Sequence, residues 1–245
     1  GAMAHDGVAR DLNAFLVSNQ MKSEFEKLSS KAIVVDGTHD FQIEVEDSEL
    51  CPRYIGAIIE NVQVAESPAW LRDRLKAIGL SPINNIVDIT NFILHGYGQP
   101  LHAFDADKIG GKKVKVGVNN KETKFTTLDG VERTLNGSEI MIKDGENNPM
   151  CIAGVFGGLN SGVSENTKTI FLESAYFNPV AVRKAAKFHG LNTDASFRFE
   201  RGVDPNSTKT AIQNAIAMIE DIAGGKFKGE LLEHLPAKLA DHYVI

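Results

Sequence analysis

The sequence predicts an α+β fold, and three observations lead there. Strand-like and helix-like segments follow one another without the regular βαβ alternation of a parallel sheet. Two helices carry strong start and stop signals: Ser67-Pro68 to Gly79, and Asn178-Pro179 to Gly190. No internal repeat interrupts the order, and no run of about 18 apolar residues offers a membrane span.

The elements can be taken in turn. Gly1 to Ala4 has no charged n-region and reads as a cloning remnant. Asp6 is placed to cap a helix over residues 7–16, with Val8, Leu12, Phe15 and Leu16 on one face. Residues 18–31 are polar enough to be a linker. Phe41, Ile43 and Val45 alternate with polar neighbours as in a half-buried strand, and β-branched residues 54–64 give a second. Ser67 is expected as N-cap and Pro68 as first helical residue of a helix to about Ile78. Another helix is expected over 85–94 after the Ser81-Pro82 break. Val114, Val116 and Val118 mark a strand. Asp129-Gly130 between apolar flanks marks a hairpin over 127–134. Ile140 and Ile142 mark one strand and residues 170–172 another. Helices over 179–189 and 205–223 complete the chain, the last stopped by Gly224-Gly225.

Composition sets limits. Hydrophobic residues make up 42% and charged residues 24%, enough for a sizeable core without disulfides or metals. Cys51 and Cys151 are too far apart for a zinc pair and are expected as buried, inert thiols. A net charge of −6 argues against an autonomous nucleic-acid clamp, while a local basic patch stays compatible with it. The expected location is cytoplasmic, with no membrane partner. Three segments are expected: 1–45, remnant, helix and linker; 46–225, the main domain; 226–245, a connector.

Three loops lack the punctuation of simple turns. In His95-Gly-Tyr-Gly-Gln-Pro-Leu-His-Ala-Phe-Asp105 the glycines do not complete a dinucleotide fingerprint. His95 and His102 have no third ligand nearby. Alone, His102 reads as structural more readily than functional. Cys151-Ile-Ala-Gly-Val-Phe-Gly-Gly-Leu-Asn-Ser161 has small residues that let another molecule approach the backbone, and equally suits a tight loop packed on its own sheet. Gly158-Leu-Asn-Ser-Gly162 has the wrong spacing for a nucleophile elbow, so a Ser/His/Asp hydrolase is disfavoured. Thr193-Asp-Ala-Ser-Phe-Arg-Phe-Glu-Arg-Gly-Val-Asp-Pro205 is most simply a solvated salt-bridge cluster. Glu173, ending an apolar run, is more often an arginine's partner than a catalyst. Arg183, Lys184, Lys187 and His189 suit phosphate contacts or an ordinary solvated helix face.

Taken in order, these segments resemble the β subunit of bacterial phenylalanyl-tRNA synthetase, in its B3/B4 editing domain. The carrying residues are Val87-Asp-Ile-Thr-Asn91, Gly98-Gln-Pro-Leu-His-Ala-Phe-Asp105, Thr127-Leu-Asp-Gly-Val-Glu-Arg133, Ala153-Gly-Val-Phe-Gly-Gly158 and Thr193 to Pro205. Each is weak alone; their order and spacing are specific. Residues 7–16 are similar to the end of the preceding B1 region, so the chain reads as a piece of the subunit, its connector leading toward B5. The resemblance implies β-layers stacked with helices on one side, a β/β/α sandwich with flanking helices.

It also implies an activity: hydrolysis of the ester in wrongly charged Tyr-tRNA(Phe). His102 matches the editing-site histidine and Glu173 the glutamate that recognises the tyrosine hydroxyl. Gly154 and Gly157, with Ala153 beside them, match the pocket lining, as do Thr90, Asn91 and Pro100. Thr193 and Ala195 match residues shaping access to the ester. Where some relatives carry arginine, Ser81 stands here, which puts that arginine's phosphate or ribose contact in doubt. The implied partners are the 3′ end of tRNA(Phe) and the synthetase α subunit in a heterotetramer. ATP and Mg²⁺ belong to other parts of that enzyme; no metal or cofactor is expected here. Two other readings stand beside this one: a non-catalytic tRNA-docking or scaffolding module, and a free-standing trans-editing protein.

Overall fold

The computed structural model describes residues 3–26, 29–119 and 121–236. Gly1, Ala2, two residues of the expected linker and positions 237–245 of the expected connector lie outside the described residues. Helix α1 (His5–Ser18) leads to strands β1 (Gln42–Val45) and β2 (Arg53–Glu60). Helices α2 (Ala69–Ala77) and α3 (Asn85–Tyr97) follow, then β3 (Leu101–Asp105) and β4 (Lys113–Val118). The hairpin strands β5 (Lys124–Thr126) and β6 (Glu132–Thr134) precede β7 (Ile140–Asp144), β8 (Pro149–Ile152) and β9 (Phe156–Gly157). The chain continues through β10 (Thr169–Tyr176), α4 (Pro179–His189), α5 (Asp194–Phe199), α6 (Ser207–Ala223) and β11 (Lys226–His234).

Two sheets and a helical layer stack. One sheet has the order β1-β4-β7-β8-β9 and the other β11-β2-β10-β3. Between them lies a core that includes Tyr54, Phe104, Phe171, Val116, Ile142 and Cys151. On its other face the four-stranded sheet packs Ile55, Ile59, Ile170 and Leu172 against Leu71, Ile86, Ile89, Ile212 and Ile216 of α2, α3 and α6. Burying such an aliphatic side chain contributes about 1.5–3 kcal/mol. The α+β class and the β/β/α layering expected from the sequence are therefore observed. Among the described residues, no helix is long and apolar enough to cross a membrane.

Local signals explain most boundaries. Asn178 accepts hydrogen bonds from the amides of Val180 and Ala181 and starts α4, with Pro179 at its first position; Gly190, at φ +64°, ends it. Asn84 caps α3 in the same way, and Gly98, at φ +79°, stops it. Three expectations need correction. Asp6 is not a cap: α1 starts two residues earlier than expected, at an Ala4 N-cap with no side-chain bond, and its Val8, Leu12 and Phe15 are exposed. Ser67 is not the N-cap of α2 either. That position is Pro68, and the Ser67 hydroxyl donates to the wholly buried Asp88 carboxylate at 2.5 Å, a stronger claim on a hydroxyl than a solvated amide. The helix expected from residue 205 begins at Ser207.

The larger surprise is that the three loops contain structure. Residues 95–105 hold the end of α3 and all of β3; residues 151–161 hold the end of β8 and β9; residues 193–205 hold α5. The segment expected as a connector contains β11, antiparallel to β2, and β1 is parallel to β4.

Candidate active site

Strand β10 places alternate side chains on opposite faces. Ile170 and Leu172 face the helices, and the Ser174 hydroxyl donates there to Thr208 O at 2.9 Å. Phe171, Glu173 and Ala175 therefore point between the sheets. In register, Glu173 lies opposite His102 on β3 and Gly56 on β2. Two candidates 71 positions apart thus become cross-strand neighbours, Glu173 on a strand the sequence marked at 170–172 and His102 on one it read as a loop.

Glu173 is buried, and no arginine pairs with it. Its Oε2 accepts a hydrogen bond from the Tyr54 hydroxyl at 2.7 Å. Burial pushes its pKa up to about 7, against the lowering effect of the Tyr54 hydrogen bond. His102 packs edge-on against Phe104, with ring centroids 4.4 Å apart. Although the residue keeps some exposure, its Nε2 is buried without a partner. Burial lowers its pKa to about 4, so the imidazole is neutral at pH 7. Cys51 and Cys151 are buried free thiols, their pKa values pushed well up by burial and then by the Glu173 charge.

Gly157 closes in on this pair. A Cβ there would stand 3.1 Å from His102 Cε1 and 3.0 Å from Leu128 Cδ1, so the missing side chain is what lets the backbone of this turn come so close to the imidazole. Gly154 has φ +68°, and a Cβ there would meet Phe199 at 2.8 Å. Ala153 is buried, its amide bonded to Ile140 O. Thr193 caps α5 through Ser196 N, and its hydroxyl donates to Val155 O at 3.0 Å. That bond ties the α5 N-terminus, with Ala195 packed on the inter-sheet core, to the 153–157 turn. Besides the Ala153 amide, the Val155 N–H of this turn is already used, donating to Ile152 O, and just beyond it the Gly158 N–H donates to Met150 O.

The remaining candidates stand apart. Thr90 is buried on α3 and donates to Val87 O; Asn91 is half-buried beside it. Neither makes a polar contact with His102 or Glu173. Pro100 is buried immediately before β3. The basic group on α4 divides: Arg183, Lys184 and Lys187 are exposed, whereas His189 turns inward onto the buried Glu139 at 2.9 Å. The salt-bridge cluster is only partly solvated, since Arg198 is buried and reaches Asp194, Met3 O and His95. A cavity of about 740 Å³ between α1, α2 and α3 holds none of the candidates. Among the described residues, no group of three or more His, Cys, Asp or Glu is arranged to hold a metal.

Two residues were missed. Tyr54 was read only as part of an aliphatic strand; one phenol among β-branched neighbours was the available signal. Gln99 is wholly buried and donates to Pro100 O and Ala175 O, fixing the approach to β3 against β10.

Comparison with known proteins agrees with this architecture. A solved N-terminal fragment of the phenylalanyl-tRNA synthetase β subunit from Pyrococcus horikoshii matches with a TM-score of 0.51 at 16% identity, covering 82% of this chain and 53% of that one; this likeness concerns the fold alone. The phenylalanine–tRNA ligase β subunit of Bacteroides fragilis is 53% identical over 99% of this chain, and that of Porphyromonas gingivalis 53% identical over 93%. The chain spans 30% and 28% of those two relatives. The model of the B3/4 domain matches residues 50–224. The five motifs from Val87 to Pro205 lie within that match and residues 7–16 outside it; the chain belongs to the B3/4 domain family.

Proposed function

We propose that this domain is the proofreading compartment of a phenylalanine–tRNA ligase β subunit and hydrolyses the ester of Tyr-tRNA(Phe). One observation carries the reading: a buried carboxylate and, among the described residues, an imidazole nitrogen without a hydrogen-bond partner, on paired strands facing between two sheets, with Gly157 packed close against the imidazole.

The selectivity follows from hydrogen-bond chemistry. An apolar synthetic pocket rejects an added hydroxyl by only about 10², so a second site that requires the hydroxyl is useful. A carboxylate accepts and does not donate. An internal phenol supports this chemistry, since Tyr54 donates to Glu173 Oε2; in this reading Oε1 serves the substrate phenol. Phenylalanine supplies no donor and leaves that oxygen unpaired, at a cost of roughly 1–3 kcal/mol.

The chemistry is modest. Water attacks the ester carbonyl carbon, the bond to the ribose oxygen breaks, and the released oxygen takes a proton, giving free tyrosine and tRNA. An activated ester of this kind requires positioning more than a covalent nucleophile or a metal. His102, neutral and with its pKa near 4, is a weak base and suits positioning of the water or the 3′ end. Thr90, Asn91, Pro100, Ala153, Gly154, Gly157, Thr193 and Ala195 complete the pocket in this reading. The tRNA 3′ end, an α subunit partner and a cytoplasmic location belong to the same proposal, with ATP and Mg²⁺ used elsewhere in the enzyme.

The test is deacylation of Tyr-tRNA(Phe) and Phe-tRNA(Phe) by the complete synthetase. Glu173→Ala should cut the preference for Tyr-tRNA by about tenfold or more. An unchanged preference would sink the role of Glu173, and equal silence of wild type and His102→Ala toward Tyr-tRNA would favour the docking-module reading.

A further inference from the structure

We propose that Tyr54 is a positioning residue for selectivity: its phenol holds one oxygen of Glu173 and so aims the other at the hydroxyl of the substrate's amino acid. This rests on the proofreading reading above and deepens it.

The geometry singles out Tyr54. Glu173 has no side chain beside it on β2, because its register partner there is Gly56. The space over Gly56 is taken by the Phe171 ring, since a Cβ at Gly56 would fall 2.3 Å from Phe171 Cζ. The carboxylate therefore has an apolar ring on its own strand, no lateral wall on β2, and an imidazole on β3 whose Nε2 makes no hydrogen bond. Among the described residues, the one group that hydrogen-bonds it and fixes its rotation is the Tyr54 hydroxyl, two residues along β2 from Gly56, at 2.7 Å. Tyr54 is itself completely buried and has no freedom to follow the carboxylate elsewhere. A carboxylate held by one oxygen presents the second in a defined direction; a carboxylate without that bond rotates among several.

The same bond sets when Glu173 is ionised. The titratable groups facing it are Tyr54 and Cys51 from β2 and the turn before it, His102 from β3 and Cys151 from β8. Burial keeps both thiols and the phenol protonated, and keeps the imidazole neutral. Glu173 alone among them titrates near pH 7, and the Tyr54 hydrogen bond is what draws it down against burial. The charge-assisted bond to a substrate phenol then strengthens as pH rises through that range. Removing the Tyr54 hydroxyl moves the midpoint upward.

The experiment compares wild type, Tyr54→Phe, Glu173→Gln and the double variant in the complete synthetase, measuring kcat/KM for Tyr-tRNA(Phe) and Phe-tRNA(Phe) from pH 6 to 8.5. Tyr54→Phe should lower the Tyr/Phe ratio about tenfold and shift the midpoint of its pH profile upward. In the Glu173→Gln background the same change should do nothing further. A ratio and midpoint unchanged in Tyr54→Phe, with Glu173→Gln impaired, overturns the role of Tyr54 and leaves the proofreading reading intact. A ratio unchanged in Glu173→Gln overturns both. If Tyr54→Phe does not fold, a fluorotyrosine at position 54, a stronger donor of the same shape, should move the midpoint down; an unmoved midpoint overturns the proposal.

Discussion

The two faces of the four-stranded sheet differ in what they leave unsatisfied. Toward the helices, the side chains are aliphatic and the polar one on β10, Ser174, has its hydroxyl bonded to Thr208 O. Toward the second sheet, the same strand presents Glu173, with a raised pKa, beside a His102 whose Nε2 has no partner. Buried polar groups without partners cost stability, and native proteins keep few of them. One face of β10 thus serves folding, and the other carries an uncompensated polar cost. A single strand separates the two roles by the direction in which consecutive side chains point.

Adjacent substitutions on β10 should show this separation most strongly. Leu172→Ala opens a cavity in the sheet–helix core and should cost about 2–5 kcal/mol. Glu173→Gln keeps the volume and still offers Tyr54 an acceptor, while removing a desolvated charge, so it should change stability by about 1 kcal/mol or less. Urea denaturation of both variants tests the contrast. A Glu173→Gln loss as large as that of Leu172→Ala would mean that the inter-sheet face is also built for stability.

The two glycines of the 153–157 turn sharpen the same comparison on a smaller scale. Gly154 sits at φ +68° with Phe199 2.8 Å from an added Cβ, so Gly154→Ala meets both backbone strain and a ring. It should destabilise by roughly 1–3 kcal/mol. At Gly157 no positive φ applies, and the nearest atoms belong to Leu128 and His102 side chains at 3.0 and 3.1 Å. Gly157→Ala should cost little thermal stability, because both neighbours are side chains that can shift, and reduce Tyr-tRNA deacylation severalfold by displacing the imidazole. Wild-type deacylation in folded Gly157→Ala would remove that glycine from the site.

What the sequence revealed follows from which forces are local. Whereas α3, expected to end near residue 94, runs on to Tyr97 before Gly98 stops it, both ends of α4 were legible because Asn178 and Gly190 act on their own neighbours. Strand β3 was not, since its two preceding glycines and two flanking polar residues look like a loop until β10 pairs with it. Helix α5 is six residues long, too short to show periodicity, and is held by Thr193 bonding to a turn 38 positions away. Ser67 carried a correct local signal that a buried carboxylate 21 positions away overrode. The site shows the same division. Motif resemblance nominated His102 and Glu173, but only the register puts them opposite one another. Tyr54 lay in no motif, and its importance arises wholly from a contact across the sheet.

The last expected effect is the most specific to the pair. His102 titrates near 4 in the folded chain and at about 6.5 unfolded; Glu173 titrates near 7 folded and at about 4.5 unfolded. Between about pH 4.5 and 6.5 the unfolded imidazole binds the extra proton, so its contribution to stability is lost as pH falls. Over the same window the folded carboxyl binds the extra proton, so its contribution is lost as pH rises. Each slope is at most about 1.4 kcal/mol per pH unit, and they oppose one another. In wild type the two should nearly cancel. Glu173→Gln should expose the histidine slope, with stability falling from pH 6.5 to 5 relative to wild type. His102→Gln should expose the carboxyl slope, with stability falling from pH 5 to 6.5. Urea titrations at those two pH values measure both differences, and since all other titrating groups are common to the three proteins, their effects drop out. Parallel pH dependence in all three proteins would mean that neither group is as desolvated as its place between the sheets implies, and the contrast between the two faces of β10 would then rest on packing alone.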